Sequence, residues 1–121
     1  MAKKVLIVDD SAFMRKLLRD IIETRNYKVV GEAGDGSKAL KLYIQLKPDI
    51  VTMDIILPNK TGIEIVKEIN KVDKDNNTKI VMVTALGQRQ LVMEALQAGA
   101  KEYITKPFEK DRILEVLKRL E

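Results

Sequence analysis

Apolar residues in this chain come in short unbroken runs, separated by longer stretches where they recur every three or four positions. The runs are VLIV (5–8), YKVVGEA (27–33), IVTM (50–53), IVMV (80–83) and YIT (103–105). Continuous rather than alternating runs of β-branched and aliphatic residues predict parallel strands covered on both faces. The second run carries more polar residues and reads as an edge strand. The stretches between them have helical periodicity. In 11–23, Met14, Leu17, Leu18, Ile21 and Ile22 share a face, with Ser11 placed to cap the start. In 37–47, Ala39, Leu40, Tyr43 and Leu46 repeat the pattern, again after a serine. In 62–71, Ile63, Val66 and Ile69 follow Thr61-Gly62. In 88–98, Leu91, Val92, Ala95 and Leu96 do the same, and Gly99 suits a C-terminal cap. In 109–120, Ile113, Leu117 and Leu120 close the pattern, with Pro107 just ahead. Phe13 and Met14 are expected in the core.

Strand and helix therefore alternate about five times. Such alternation predicts an α/β architecture: a doubly wound parallel sheet with helices on both faces and right-handed crossovers. The chain of 121 residues suits a single domain spanning 1–121. The polar segment 71–79 reads as a loop, because the pattern resumes at once, and no output domain is expected. No apolar run approaches the ~20 residues of a membrane span. The N-terminal run is too short for a signal peptide and ends in acids, so a cytoplasmic protein without membrane contact is expected.

Composition narrows the chemistry. With no cysteine and no histidine, disulfides, thiol nucleophiles, imidazole acid–base catalysis and zinc sites of those ligands are excluded. A bound metal would need oxygen ligands, which favours a hard cation such as Mg²⁺ or Ca²⁺. The net charge is +4, yet basic residues never run longer than a pair. That is the pattern of solvated surface, and nucleic-acid binding is not expected.

The ends of the runs carry the candidate chemistry. In open parallel sheets, sites gather beyond the carboxyl ends of the strands. Here the first run ends in Asp9-Asp10, the third leads to Asp54, the fourth ends at Thr84, and the fifth leads through Thr105 to Lys106-Pro107. Three close carboxylates repel one another unless a cation neutralises them. Mg²⁺ accepts carboxylate and carbonyl oxygens. One carboxylate is then free to act as a nucleophile toward phosphorus. Phosphoryl transfer needs positioning and charge neutralisation above all, which Lys106 and a metal would supply, with a hydrogen bond from Thr84. Each residue alone also suits a turn, cap or strand role; their joint placement carries the reading.

Over essentially its whole length the sequence resembles the receiver domain of two-component response regulators. The motifs are VDDSAFMR (8–15), IVTMDIILPNKTGIE (50–64), VMVTALG (81–87) and AGAKEYITKPF (98–108). The closest likeness is to stand-alone, CheY-like chemotaxis regulators. The resemblance implies a flavodoxin-like (βα)5 fold with strand order 2-1-3-4-5. It implies that Asp54 is the phosphoacceptor, that Asp10 and Asp9 bind Mg²⁺ with Asp54 and the backbone carbonyl of Ile56, and that Lys106 pairs with a phosphoryl oxygen. Thr84 and Tyr103 become the switch pair. The output face is expected around the fourth helix, fifth strand and fifth helix, with Gln88, Arg89, Val92, Tyr103 and Lys110 as candidates. A sensor histidine kinase would be the phosphodonor, a motor-switch or adaptor protein the target, and a separate phosphatase a further partner of a monomer. The implied function is a phosphorylation-activated switch in chemotaxis, not an enzyme beyond self-phosphorylation and self-dephosphorylation. The alternatives are a stand-alone receiver of another phosphorelay, an aspartyl-phosphate phosphatase, or a flavin protein on the same sheet.

Overall fold

Each of the five apolar runs is a strand, and each periodic stretch is a helix, in the computed structural model, which describes residues 2–121. The order is β1 (Lys3–Val8), α1 (Ala12–Ile22), β2 (Tyr27–Ala33), α2 (Gly36–Leu46), β3 (Ile50–Met53), α3 (Gly62–Val72), β4 (Lys79–Thr84), α4 (Arg89–Ala98), β5 (Glu102–Thr105) and α5 (Lys110–Arg119). The sheet is parallel throughout, in the order β2-β1-β3-β4-β5. This is the doubly wound, flavodoxin-like arrangement, with β2 at an edge as its polarity predicts.

The two-residue period of a strand divides the core in two. Leu6 and Val8 of β1, Val51 and Met53 of β3, and Ile80 and Met82 of β4 pack with α2, α3 and α4. Val5, Ile7, Ile50, Val81 and Val83 point the other way, onto α1 and α5. Fully burying a side chain such as Leu6 or Ile7 stabilises the fold by roughly 1.5–3 kcal/mol. Because β1, β3 and β4 are clothed on both faces, their apolar runs are interrupted only by the buried Thr52 of β3, and charged residues appear only at or beyond their ends.

The helix starts set the loops that carry those ends. Ser11 caps α1, accepting a hydrogen bond from the Met14 N–H. Thr61 and Glu64 form a reciprocal capping box at α3. Gly99, at φ 129°, ends α4 as expected. At α2 the cap is Asp35, which accepts from the Lys38 N–H, and Ser37 lies inside the helix. Three residues assigned to the core are exposed instead. Phe13 is 75% exposed, Leu17 37% and Leu96 44%. On α1 the buried residues are Leu18, Ile21 and Ile22. Phe13 and Leu17 lie one turn apart on a flank of that helix that neither core reaches. Among the described residues, no helix is long and apolar enough to cross a membrane.

Candidate functional site

Strands β1, β3, β4 and β5 are neighbours in the sheet, so the residues after them meet along one rim. Asp9 directly follows β1 and is almost fully buried. Asp54 follows β3 and is also buried, while Asp10 is exposed. One carboxylate oxygen from each of these acids lies within 4.8 Å of the others. Lys106, after β5, reaches across: its Nζ donates to Asp9 Oδ2 at 2.6 Å and to Asp54 Oδ2 at 2.9 Å. One ammonium thus serves two of three clustered carboxylates, and the cluster could hold a divalent cation against the negative charge that remains. All the donors are hard oxygens, in keeping with Mg²⁺ or Ca²⁺ rather than a soft metal.

The electrostatics follow from this geometry. Burial alone pushes the Lys106 ammonium down, but hydrogen bonds to Asp9 and Asp54 and the charges of both acids outweigh it. They hold Lys106 above the ordinary lysine value. The Tyr103 phenol is raised by burial first and by the Asp54 charge second, so the tyrosine feels the state of that carboxylate.

Each acid is held differently. Asp9 is occupied on every side: its N–H donates to the Ala33 carbonyl at 3.0 Å, its Oδ1 accepts from the Ser11 N–H at 2.9 Å, and its Oδ2 holds Lys106. The backbone N–H of Asp54 donates to the Val8 carbonyl at 3.1 Å, tying the end of β3 to the end of β1. Asp54 Oδ1 accepts a long 3.4 Å bond from the Ile56 N–H. The Ile56 side chain is 56% exposed beside the rim.

Thr84 ends β4, fully buried, and its Oγ1 accepts from the Leu86 N–H at 3.4 Å. Tyr103, on β5, packs against the α2–α3–α4 core and donates its hydroxyl hydrogen bond to the Leu86 carbonyl. Threonine and tyrosine therefore grip the same residue of the β4–α4 loop, one at its N–H and one at its C=O. The peptide bond between Lys106 and Pro107 is cis. Of the expected surface residues, Gln88, Arg89 and Lys110 are exposed and Val92 and Tyr103 are half-buried.

Sequence reasoning passed over two glycines that seat the site. A β-carbon on Gly62 would stand 1.9 Å from the Asp54 carbonyl oxygen, and its N–H donates to the Ile55 carbonyl at 2.8 Å. A β-carbon on Gly36 would stand 2.7 Å from the Lys60 carbonyl oxygen, and its N–H donates to the Pro58 carbonyl at 3.1 Å. Each glycine lets a helix start close against the loop that follows Asp54. The available signal was position: each glycine is the residue immediately after a helix cap. Arg15 and Glu32 were also missed. The Arg15 guanidinium donates to the Asp9 carbonyl and to the Glu32 carboxylate.

Comparison with known proteins agrees with this geometry. The family model described as the response regulator receiver domain matches residues 5–118. The chemotaxis protein CheY of Thermotoga maritima is 52% identical, the alignment covering 99% of this chain and 98% of that protein. CheY of Bacillus subtilis is 45% identical over 98% of each. Among solved structures, a CheX–CheY complex with BeF3 and Mg²⁺ from Borrelia burgdorferi superposes with a TM-score of 0.93 at 37% identity, covering 98% of this chain and 88% of the matched one.

Proposed function

This chain belongs to the response regulator receiver family and is a homologue of the CheY chemotaxis regulators; from that premise we propose how its residues operate a phosphorylation-driven switch. The observation that carries the reading is the lysine bridge from Asp9 to Asp54 beside the exposed Asp10. It places a carboxylate at the rim among oxygen donors suited to a divalent cation.

Asp54 is the nucleophile. One of its carboxylate oxygens forms the O–P bond as the bond from phosphorus to a phosphohistidine nitrogen of a separate sensor kinase breaks; the departing imidazole takes a proton from solvent. Asp9, Asp10, Asp54 and the Ile56 carbonyl would hold Mg²⁺, which when bound supplies positive charge to the phosphoryl oxygens. Lys106 stays anchored on Asp9 and turns its other hydrogen bond from Asp54 to a phosphoryl oxygen, offsetting charge as it develops. Thr84 supplies a hydroxyl hydrogen bond to the same group.

The output follows from the shared grip on Leu86. When Thr84 turns toward the phosphoryl group it lets go of the Leu86 N–H, and the β4–α4 loop shifts with it. Tyr103 holds the Leu86 carbonyl from the other side, so its inward pose depends on where that loop lies. A local change of charge thereby biases a two-state element on the α4–β5–α5 face, around Gln88, Arg89, Val92, Tyr103 and Lys110. A motor-switch or adaptor protein reads that face, and a phosphatase resets it. In this reading the protein acts in the cytoplasm as a monomer and releases no product other than its own phosphate. Incubation with the kinase's phosphohistidine domain and Mg²⁺ is expected to label the wild type and leave Asp54→Ala unlabelled. Equal labelling of the variant would reject Asp54 as the acceptor.

A further inference from the structure

Arg15, in the first turn of α1, sends its guanidinium back to the backbone of the site rather than out to solvent. Its Nη1 donates to the Asp9 carbonyl at 2.7 Å and its Nε to Glu32 Oε1 at 3.1 Å. The second oxygen of Glu32 accepts from Arg19 Nε at 2.8 Å and lies 2.7 Å from Arg19 Nη2. The Arg15 and Glu32 side chains are only 20% and 29% exposed, so solvent and salt screen the pair less than a surface pair.

Glu32 faces α1 because of a bulge in the edge strand. Val5 pairs with Val29, but Leu6 pairs with Gly31, leaving Val30 as an extra residue. The insertion reverses the alternation of β2: Val29 packs on the α1–α5 side and Ala33 on the other. Without it Glu32 would turn away from α1, and Arg15 would have no anchor.

The carbonyl that Arg15 grips belongs to the same planar peptide as the Asp10 nitrogen. Every other polar group of Asp9 is already held, so this contact sets the direction in which Asp10, the exposed acid, leaves the strand. We propose that Arg15 is a positioning residue for cation binding: locked by Glu32, it holds the Asp9–Asp10 peptide so that the Asp10 carboxylate completes the three-acid site. The proposal rests on the reading of the site as a cation-dependent phosphoacceptor and adds control of cation affinity from the edge of the sheet.

Charge and geometry oppose each other here. Arg15 is a positive charge beside a cation site, so by Coulomb's law alone its removal tightens cation binding. As a positioning group, its removal loosens binding. Calorimetric titration of Mg²⁺ into the unphosphorylated protein separates the two. For Arg15→Met the Mg²⁺ dissociation constant is expected to rise on the order of tenfold, as when an outer-shell partner of a metal ligand is lost. Arg15→Lys, which keeps the charge and one donor, is expected to recover part of the loss. Glu32→Gln shifts affinity in the same direction by less. The double variant binds no more weakly than Arg15→Met, because Glu32 acts through Arg15. If Arg15→Met does not fold, Arg15→Lys carries the test: it keeps the charge, so a raised dissociation constant reports lost positioning rather than lost charge. An unchanged or lowered dissociation constant in the folded variants overturns the proposal while wild-type binding and phosphorylation leave the underlying reading standing. Absence of Mg²⁺ binding by the wild type overturns both.

Discussion

Gly62 shows how closely this site is seated on its own backbone. No rotamer change relieves a β-carbon placed 1.9 Å from the Asp54 carbonyl oxygen, so the start of α3 must move. Gly62→Ala is expected to cost about 3 kcal/mol in chemical denaturation, the upper end of overpacking penalties. It should also slow phosphorylation, because Asp54 shifts with the displaced loop. Asp10 lies at the opposite extreme: exposed, and the one acid of the three without Lys106. Its cost is repulsion from Asp9 and Asp54. Without Mg²⁺, Asp10→Ala is expected to raise stability by on the order of 1 kcal/mol. With Mg²⁺ added, the wild type should gain stability and the variant little or none. Thermal melts with and without the ion check both halves. Lys106 already offsets Asp9 and Asp54, which is why the gain is modest.

At the scale of elements, each sheet edge adds a polar pair to its core contacts. On β2, Tyr27 donates to Glu121 Oε2 at 3.2 Å, joining the start of the edge strand to the residue beyond α5. Burial, reinforced by the charge and hydrogen bond of Glu121, pushes the Tyr27 phenol from 10.0 up to about 12. A raised value means that the folded state holds this proton more tightly than the unfolded chain does. The stabilisation is complete below pH 10 and is lost as pH rises from there toward 12. Tyr27→Phe is therefore expected to lose less stability than the wild type between about pH 9 and about pH 11.5. Urea melts at the two pH values measure it. An equal loss in both proteins would show that the phenol is not held by the fold. On β5, the other edge, Arg119 of α5 makes hydrogen bonds to both Glu102 carboxylate oxygens, at 3.3 and 2.9 Å. That is an exposed pair, worth little by itself.

For the whole molecule, the layers were legible because both faces of the sheet are covered and strand ends coincide with changes from apolar to charged residues. Asp9, Asp10, Asp54, Thr84 and Lys106 could be found from those ends alone, since a parallel sheet brings them to one rim. Burial on helix flanks was less legible. Phe13 reads as core by type and lies off the face that α1 buries, which periodicity resolves only coarsely. The cap of α2 was assigned to Ser37, whereas Asp35 has the side chain placed to accept from the third N–H beyond it. Gly62 and Gly36 could not be weighed, because a close approach between two backbone segments leaves no periodic trace. Glu32 depended on a bulge that no local pattern announces. The layers and the list of acids thus follow from pattern and the strand order from the family resemblance, while the way the acids are held follows from packing.

The central claim is that this rim carries a cation-dependent phosphoacceptor at Asp54. Intact-protein and peptide mass spectrometry after incubation with acetyl phosphate tests it most directly. With Mg²⁺ the wild type is expected to gain one phosphoryl group, mapped to the peptide containing Asp54, and with the ion chelated it should gain none. A gain that persists in Asp54→Ala, maps to another residue, or is indifferent to the metal would contradict it.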